Sequence, residues 1–300
     1  MISFNIKGVR AYADTITLFS RHPLPTQIYK DVRELQEKPL VYEITPVRGR
    51  DGSALGYQFL HSIHQPRIAT LQHLARLPRA KASVHAVHIA FDFLVSDPKE
   101  ALSAREYFCT HLRQTWRRPQ DCRPEFNSFY WKRDRKEARN ITVYCDRPSK
   151  TGGGHCCHLE LRFTGAEACA RAGLSDLAGL SRGIDALATL KHETKLAVVD
   201  PIRFDRAVER LARKYFPTTK SRCSTTWVEG ASVELTVSRL GTKMRELIAR
   251  SMGVAPVEEH DVLRIRSQDI WDSRHRALRS ALVEVPWEEV CPRPVWHAWR

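Results

Sequence analysis

The stretch NITVYCDRPSKTGGGHCCHLELRF, residues 140–163, predicts a β-hairpin with chemically capable side chains on one face of each arm. Side chains alternate between the two faces of a strand, so spacing alone assigns them. The second arm has an apolar row, Cys157, Leu159, Leu161 and Phe163, and an opposite polar row, His158, Glu160 and Arg162. The first arm places Thr142 and Tyr144 on one face, opposite Ile141, Val143 and Cys145. A half-buried strand ordinarily carries Thr, Ser or Lys on its solvent-facing side. This hairpin instead carries a histidine, a carboxylate, a guanidinium and a tyrosine, so it is a candidate active-site surface.

The segment SVHAVHIAFDFLV, residues 83–95, predicts a strand with a second unusual face. If it lies beside the second hairpin arm, four polar side chains converge, namely His88, Asp92, His158 and Glu160. Two imidazoles and two carboxylates suit Mg²⁺ or Mn²⁺ with open coordination positions. Such an ion would polarise a phosphate during phosphodiester cleavage, with Tyr144 on a neighbouring strand as the nucleophile.

The same residues also have plainer interpretations. A lone histidine on a strand is more often a satisfied core or surface residue than a metal ligand. Asp92 has the alternative of a salt bridge to Arg162, and Glu160 and Arg162 have the alternative of simple solvation. The sequence leaves these alternatives open.

Composition restricts the class of protein and its partners. The 300 residues are enough for one large domain or two modest ones, and 42% hydrophobic with 27% charged residues is typical of a soluble globular protein. We expect a cytoplasmic protein without a membrane partner, because neither a membrane-spanning run nor a secretory signal is evident. The net charge of +14 favours a polyanion, most simply nucleic acid, although a generically basic protein is the alternative.

The order of predicted elements, β-β-α-β-α-β-β-β-α from about residue 40 to 173, indicates an α+β fold. We expect an antiparallel or mixed β-sheet with helices packed on one face, over residues 1–175. Asp97 and Pro98 predict the start of a helix that runs to about residue 116. Residues 176–300 predict a mainly helical, basic accessory region, with helices over 175–199, 201–215 and 242–251, and an irregular tryptophan-rich tail.

The eight cysteines form no CxxC pair, so reduced and mostly buried thiols are the default expectation. The run HCCH at residues 155–158 raises the alternative of structural zinc. Cys156 and Cys157 are adjacent on a strand and point to opposite faces, which disfavours zinc binding by this run.

Residues 113–150 combine eleven basic with five acidic residues and are interleaved with aromatic side chains. Basic groups bind phosphates and aromatic faces stack on bases, so this segment is a candidate nucleic-acid surface. The alternative is a solvated hairpin tip with core aromatics. The candidate nucleic-acid contacts are Trp131, Arg133, Arg135, Lys136, Arg139 and Arg162.

Four segments in order resemble replication-initiator endonucleases of rolling-circle plasmids and filamentous phages. Their motifs are HIAFD at residues 88–92, FYWKRDR at 129–135, TVYCD at 142–146 and HLELR at 158–162. The resemblance covers about residues 42–173. The sequence departs from the family pattern at His88, Thr142 and Asp146, where the family has Asp, Arg and Lys.

The resemblance implies metal-dependent nicking of single-stranded DNA through a 5′-phosphotyrosine intermediate. It implies a metal ion, Mg²⁺ or Mn²⁺, held by Asp92 and Glu160 with help from His88 or His158. The candidate nucleophiles are, in order of preference, Tyr144, Tyr130 and Tyr107. A tyrosine has an ordinary pKa near 10, so the metal or a neighbouring base would have to activate it.

We therefore predict a DNA-nicking, strand-transferring replication initiator of a mobile element, acting on single-stranded or hairpin origin DNA. Because no GxxxxGK[ST] loop is present, unwinding would need a separate host helicase. The first alternative is a non-catalytic DNA-binding regulator on the same scaffold. A third class is an RNA- or single-strand-binding module without chemistry.

Overall fold

The computed structural model describes residues 4–48, 53–78, 81–115, 122–125, 128–131, 138–217, 226–229, 235–238, 241–253 and 263–299. The strands of these parts are β1 (Gly8–Ser20), β2 (Val41–Arg48), β3 (Ala54–His64), β4 (Ser83–Leu94), β5 (Leu112–Gln114), β6 (Cys122–Glu125), β7 (Ser128–Trp131), β8 (Arg139–Tyr144), β9 (Cys156–Thr164), β10 (Thr194–Val199), β11 (Thr226–Glu229), β12 (Leu235–Ser238), β13 (Leu263–Ile265), β14 (Leu282–Val285) and β15 (Val295–Trp296). The helices are α1 (Thr26–Leu35), α2 (Ile68–Ala75), α3 (Pro98–His111), α4 (Ala166–Arg171), α5 (Leu177–Arg182), α6 (Ala186–Glu193), α7 (Pro201–Tyr215), α8 (Thr242–Met252), α9 (Ser267–Trp271), α10 (Arg276–Arg279) and α11 (Trp287–Val290).

The largest sheet in the described residues is antiparallel apart from one short parallel strand. Its strands lie in the order β2-β3-β1-β4-β9-β8-β7-β6, and β15 adds to β1 in parallel. Helix α3 contacts β8 and β9, and α4 contacts β4 and β9. The predicted α+β fold with an antiparallel sheet and packed helices is confirmed.

The helix-covered face of the sheet is apolar because of the strand alternation predicted from the sequence. Ile89 and Phe93 of β4 and Leu159 of β9 are fully buried in the main core. The Phe93 ring centroid lies 4.8 Å from that of Phe108 on α3. The opposite face of the same strands therefore keeps the polar row.

Strand β1 is one of the elements that the sequence analysis missed, and it contributes residues to the site. Val9, Ala11 and Ala13 enter the core, while Arg10 and Tyr12 fall on the other face. The pairing with β4 shifts by one residue after Ala13, and such a bulge breaks the period-two pattern that reveals a strand. Because β1 lies between β3 and β4, it brings its polar residues to the centre of the sheet.

Two helix predictions need correction. Helix α3 begins as predicted, with the Asp97 carboxylate accepting hydrogen bonds from the backbone N–H groups of Lys99 and Glu100, but it ends at His111. The next residues form β5, which pairs with β10 because Leu112 and Leu196 are fully buried opposite each other. The predicted helix over residues 175–199 is two short helices, α5 and α6, followed by β10.

The C-terminal segment is more ordered than predicted. Trp287 is buried in the main core, with its ring stacked 6.0 Å from Phe93. Val295 and Trp296 pair with β1, and the Trp299 indole N–H donates to the Ala13 carbonyl at 3.3 Å. The tail thus covers the β1 edge beside residues 10–13.

The buried side chains form two clusters in the described residues. The main cluster continues past residue 175 and includes Leu180, Leu190 and Leu196, whereas the smaller cluster is built around α7, α8, α9 and α10. The domain boundary at residue 175 stays a prediction. In the described parts of the chain, no helix is both long and apolar enough to cross a membrane.

Candidate active site

The register of β4 and β9 brings the predicted site residues to one face of the sheet. Asp92 lies opposite His158, and His88 lies opposite Arg162, with Glu160 between these pairs. The condition set by the sequence, that these two strands are neighbours, is therefore met. The four predicted ligands form two separate pairs, Asp92 with His158 and His88 with Glu160.

The first pair is closed to solvent. His158 Nδ1 lies 2.7 Å from Asp92 Oδ1, and both side chains are 0% exposed. Tyr12 donates to the same Oδ1 at 3.0 Å, while the Ser149 hydroxyl and the Lys150 backbone N–H donate to Oδ2 at 2.6 and 3.2 Å. Burial alone would raise the pKa of Asp92, but the hydrogen bonds from His158, Ser149 and Tyr12 hold it below its ordinary value.

The far side of the His158 ring faces the loop that joins β8 to β9. Its Nε2 lies 3.0 Å from the Arg147 carbonyl oxygen and 3.2 Å from Cys156 Sγ. Both ring nitrogens thus face oxygen atoms that accept hydrogen bonds, those of Asp92 and Arg147. The Tyr144 ring stacks on His158, with centroids 4.5 Å apart and planes at 22°.

The second pair faces an open cleft. Glu160 Oε1 lies 2.9 Å from His88 Nδ1, and Glu160 Oε2 accepts from Arg162 Nη2 at 2.8 Å. Burial opposes ionisation of Glu160, yet His88 and Arg162 lower its pKa to about 2. Arg162 pairs with Glu160, whereas the Asp92 carboxylate pairs with His158.

The cleft has a volume of about 350 Å³ and carries charges of both signs. Lys150 Nζ lies 2.6 Å from Asp14 Oδ1, and Thr15 Oγ1 lies 3.0 Å from His64 Nδ1. The lining residues come from six strands and the β8–β9 loop, so the site depends on most of the sheet: Asp14, Thr15, His64, His88, Ser128, Thr142, Tyr144, Asp146, Arg147, Lys150, Glu160 and Arg162.

The candidate nucleophiles occupy different places. Tyr144 lines the cleft, and burial, followed by the charge of Glu160, raises its pKa, so its phenol is neutral at physiological pH. Tyr130 lies on β7 opposite Thr142, but its side chain is outside the described parts. Tyr107 is 3% exposed in the main core on α3, with its ring 5.4 Å from Phe4, so it does not share the Tyr144 surroundings.

The fit of a divalent ion differs between the two pairs. Two neighbouring ligands of an octahedral ion with bonds of about 2.1 Å lie about 3.0 Å apart. The 2.9 Å between Glu160 Oε1 and His88 Nδ1 matches that spacing, and the cleft leaves room for other ligands. Within the described residues, the three potential ligand atoms that lie within 4.8 Å of one another belong instead to Asp92, Cys156 and His158.

The predicted nucleic-acid contacts are only partly described. Arg162 lines the cleft. Arg139 is 14% exposed, pairs with Glu193 at 3.3 Å and lies over the Phe163 ring, so it supports the fold. Arg133, Arg135 and Lys136 and the side chain of Trp131 lie outside the described parts of the chain.

Several residues of the site were not found from the sequence, among them Tyr12, Asp14, Ser149 and Lys150. Tyr12 and Asp14 belong to β1, where the alternation of Val9, Ala11 and Ala13 was a usable signal. Ser149 and Lys150 lie in the hairpin loop, where strand spacing does not apply. Their contacts arise because the loop folds back onto the sheet.

The comparisons with known proteins give one distant structural similarity. The chain resembles the rolling circle replication initiator protein from Geobacillus stearothermophilus, at 10% identity and a TM-score of 0.35, over 64% of this chain and 88% of that one. No family model matches the chain, and no curated protein matches it. At this identity and TM-score, function has to be argued from the residues, and membership of the initiator family stays a prediction.

Proposed function

We propose that this chain is a replication initiator that nicks single-stranded or hairpin DNA, with Tyr144 as nucleophile and a divalent ion at His88 and Glu160. The observation that supports it is the mixed-charge cleft, in which a carboxylate, imidazoles, basic groups and a tyrosine share one opening on the sheet. The type of reaction is inferred from the resemblance of the sequence motifs to those of rolling-circle initiators. The cleft contains residue types that suit this reaction.

Each residue has a role in this proposal. Glu160 is ionised at neutral pH and, with His88, would hold Mg²⁺ or Mn²⁺, which would polarise the scissile phosphate. Lys150 and Arg162 would contact phosphate oxygens, since both line the cleft. Tyr144, neutral in the free protein, would attack phosphorus through its hydroxyl oxygen and give its proton to solvent. The bond from phosphorus to the 3′ oxygen would break, and that oxygen would take a proton from solvent and leave as a 3′-hydroxyl.

The closed pair would position Tyr144 without contacting DNA. The hydrogen-bonded contact with Asp92 holds the orientation of the His158 ring, and the Tyr144 ring stacks on that ring. In this proposal Asp92 and His158 therefore act through Tyr144, while Glu160 and His88 act on the substrate.

One observation favours the non-catalytic alternative. Both oxygens of Glu160 are already engaged, by His88 and by Arg162, so an incoming ion must compete with a proton and a guanidinium. A DNA-binding regulator would keep such a satisfied cluster for stability alone.

The test is covalent capture. The full chain is incubated with Mn²⁺ and a pool of labelled single-stranded and hairpin DNA, and a denaturing gel is scored for a protein–DNA adduct. We expect an adduct that chelator abolishes and that Tyr144→Phe and Glu160→Gln both lose.

Tyr57→Phe is the matched control, because Tyr57 is 65% exposed on β3 and does not line the cleft. It should form the adduct at the normal rate. An adduct that survives Tyr144→Phe would move the nucleophile to another tyrosine, Tyr130 first. Binding of DNA without cleavage under any metal would favour the regulator.

A further inference from the structure

The two adjacent cysteines at the start of β9 have opposite surroundings. Cys157 is fully buried on the apolar face, in the main core. Cys156 is 1% exposed on the polar face, with its Sγ 3.2 Å from His158 Nε2 and 3.7 Å from the Arg147 carbonyl oxygen. A buried cysteine ordinarily behaves as a small apolar side chain, and Cys156 does not have apolar surroundings of that kind.

We propose that Cys156, His158 and Asp92 form a zinc-binding site beneath the β8–β9 loop, separate from the cleft that His88 and Glu160 line. One ligand atom of each residue lies within 4.8 Å of the other two. A thiolate, an imidazole and a carboxylate are the ligands that Zn²⁺ uses in proteins. The thiolate disfavours Mg²⁺ and Mn²⁺, which prefer oxygen ligands.

The protons balance in a simple way. Zn²⁺ displaces the thiol proton of Cys156 and the ring proton that His158 shares with Asp92, and both protons leave to solvent. Without the ion, burial raises the pKa of the Cys156 thiol, so it stays protonated and unreactive. No electron transfer is involved.

The surroundings supply the outer contacts that such a site needs. Tyr12 and Ser149 donate to Asp92, which fixes the orientation of its carboxylate. With the ion on His158 Nδ1, the Nε2–H would donate to the Arg147 carbonyl oxygen, 3.0 Å away, which fixes the tautomer and orientation of the ring. The ion would tie the β8–β9 loop, with Arg147 and Lys150, to the sheet, whether or not the protein nicks DNA.

The test uses the untagged full chain, stripped of metal and then titrated with Co²⁺, a spectroscopic substitute for Zn²⁺. We expect about one equivalent bound, with a thiolate-to-cobalt charge-transfer band that Zn²⁺ removes. Metal analysis after dialysis against Zn²⁺ should give the same stoichiometry. Absence of the thiolate band in the unaltered protein would overturn the proposal, and this readout needs no variant to fold.

Paired variants locate the thiolate. Cys156→Ser should lose the band, while Cys157→Ala, one residue away on the opposite face, should keep it. Circular dichroism checks that both variants fold. A band that survives in folded Cys156→Ser would place the cobalt at another cysteine and overturn the proposed site.

Discussion

Two histidine–carboxylate pairs lie on the same face of the same two strands and differ in their access to water. Asp92 and His158 are both 0% exposed, whereas His88 is 25% exposed beside a nearly buried Glu160. The difference comes from the β8–β9 loop, which covers the first pair through Ser149, Lys150 and the Arg147 carbonyl. Two pairs of a histidine with a carboxylate on neighbouring strands thus give one pair suited to positioning and one suited to contact with substrate.

The largest expected effect is on the stability of the closed pair. Asp92→Asn leaves the His158 ring and three other donors without their carboxylate in a site where Asp92 and His158 are fully buried. Breaking a buried ion pair of this kind costs about 3–5 kcal/mol of unfolding free energy. Urea unfolding measures the loss.

Asp146→Asn is the control, because Asp146 is an exposed residue of the same hairpin. It should change the unfolding free energy by less than about 0.5 kcal/mol. If Asp92→Asn were as mild as its control, the closed pair would not be a structural centre and the contrast between the two pairs would fail.

The open pair, His88 with Glu160, should change how the free energy of unfolding depends on pH in the acid range. The folded-state pKa of Glu160 is lowered to about 2, below its unfolded value. Its contribution is therefore fully present above pH 4.5 and is lost as the pH falls toward 2, and it amounts to at most about 3 kcal/mol. Unfolding free energies measured across this range should fall less steeply for Glu160→Gln than for the unaltered protein.

Asp92 also has a lowered pKa, so the unaltered protein loses the contributions of both carboxylates in acid. The difference between the two curves isolates Glu160. Glu167→Gln serves as control, because Glu167 is 78% exposed in its pair with Arg171 and should leave the slope unchanged. Parallel curves for Glu160→Gln and the unaltered protein would show that His88 and Arg162 do not stabilise the folded carboxylate.

The sequence was sufficient to predict which side chains share a face of a strand, because side chains alternate regularly between the two faces. Alternation placed His88 and Asp92 on one face of β4, and it placed Glu160 on the polar face of β9, as the register confirms. It did not distinguish a closed pair from an open one, because burial of Asp92 depends on the loop that contains Ser149. A loop has no period, and its conformation follows from tertiary contacts.

Two further misses have the same physical origin. The bulge after Ala13 shifts the register of β1 at Asp14, so the period-two pattern before Ala13 does not continue into the second half of the strand. β10 was taken for helix because its short run, which includes Leu196, is compatible with either period and is decided by its pairing with β5 and β14. Local sequence patterns predict long helices and strands, whereas the structure of a short segment depends on which strands pair with it in the fold.

The smallest expected effect comes from Tyr12, the β1 residue that joins the closed pair. Tyr12→Phe removes the hydroxyl that donates to Asp92 Oδ1 at 3.0 Å and keeps the ring that packs edge-on against Trp299. A hydrogen bond to a charged group contributes about 1.5–3 kcal/mol, and His158, Ser149 and Lys150 still satisfy Asp92, so a loss near the lower end is expected. Thermal or urea unfolding beside exposed Tyr57→Phe measures it.

The double variant Tyr12→Phe/Asp92→Asn then separates a direct contact from a general loss of packing. If the hydroxyl acts through the carboxylate, the two losses should sum to more than the double variant shows, because the second change removes an interaction already broken. Additive losses would mean that the Tyr12 hydroxyl stabilises the protein independently of the Asp92 carboxylate. In that case the closed pair would depend on the hairpin loop rather than on the strand that the sequence did not reveal.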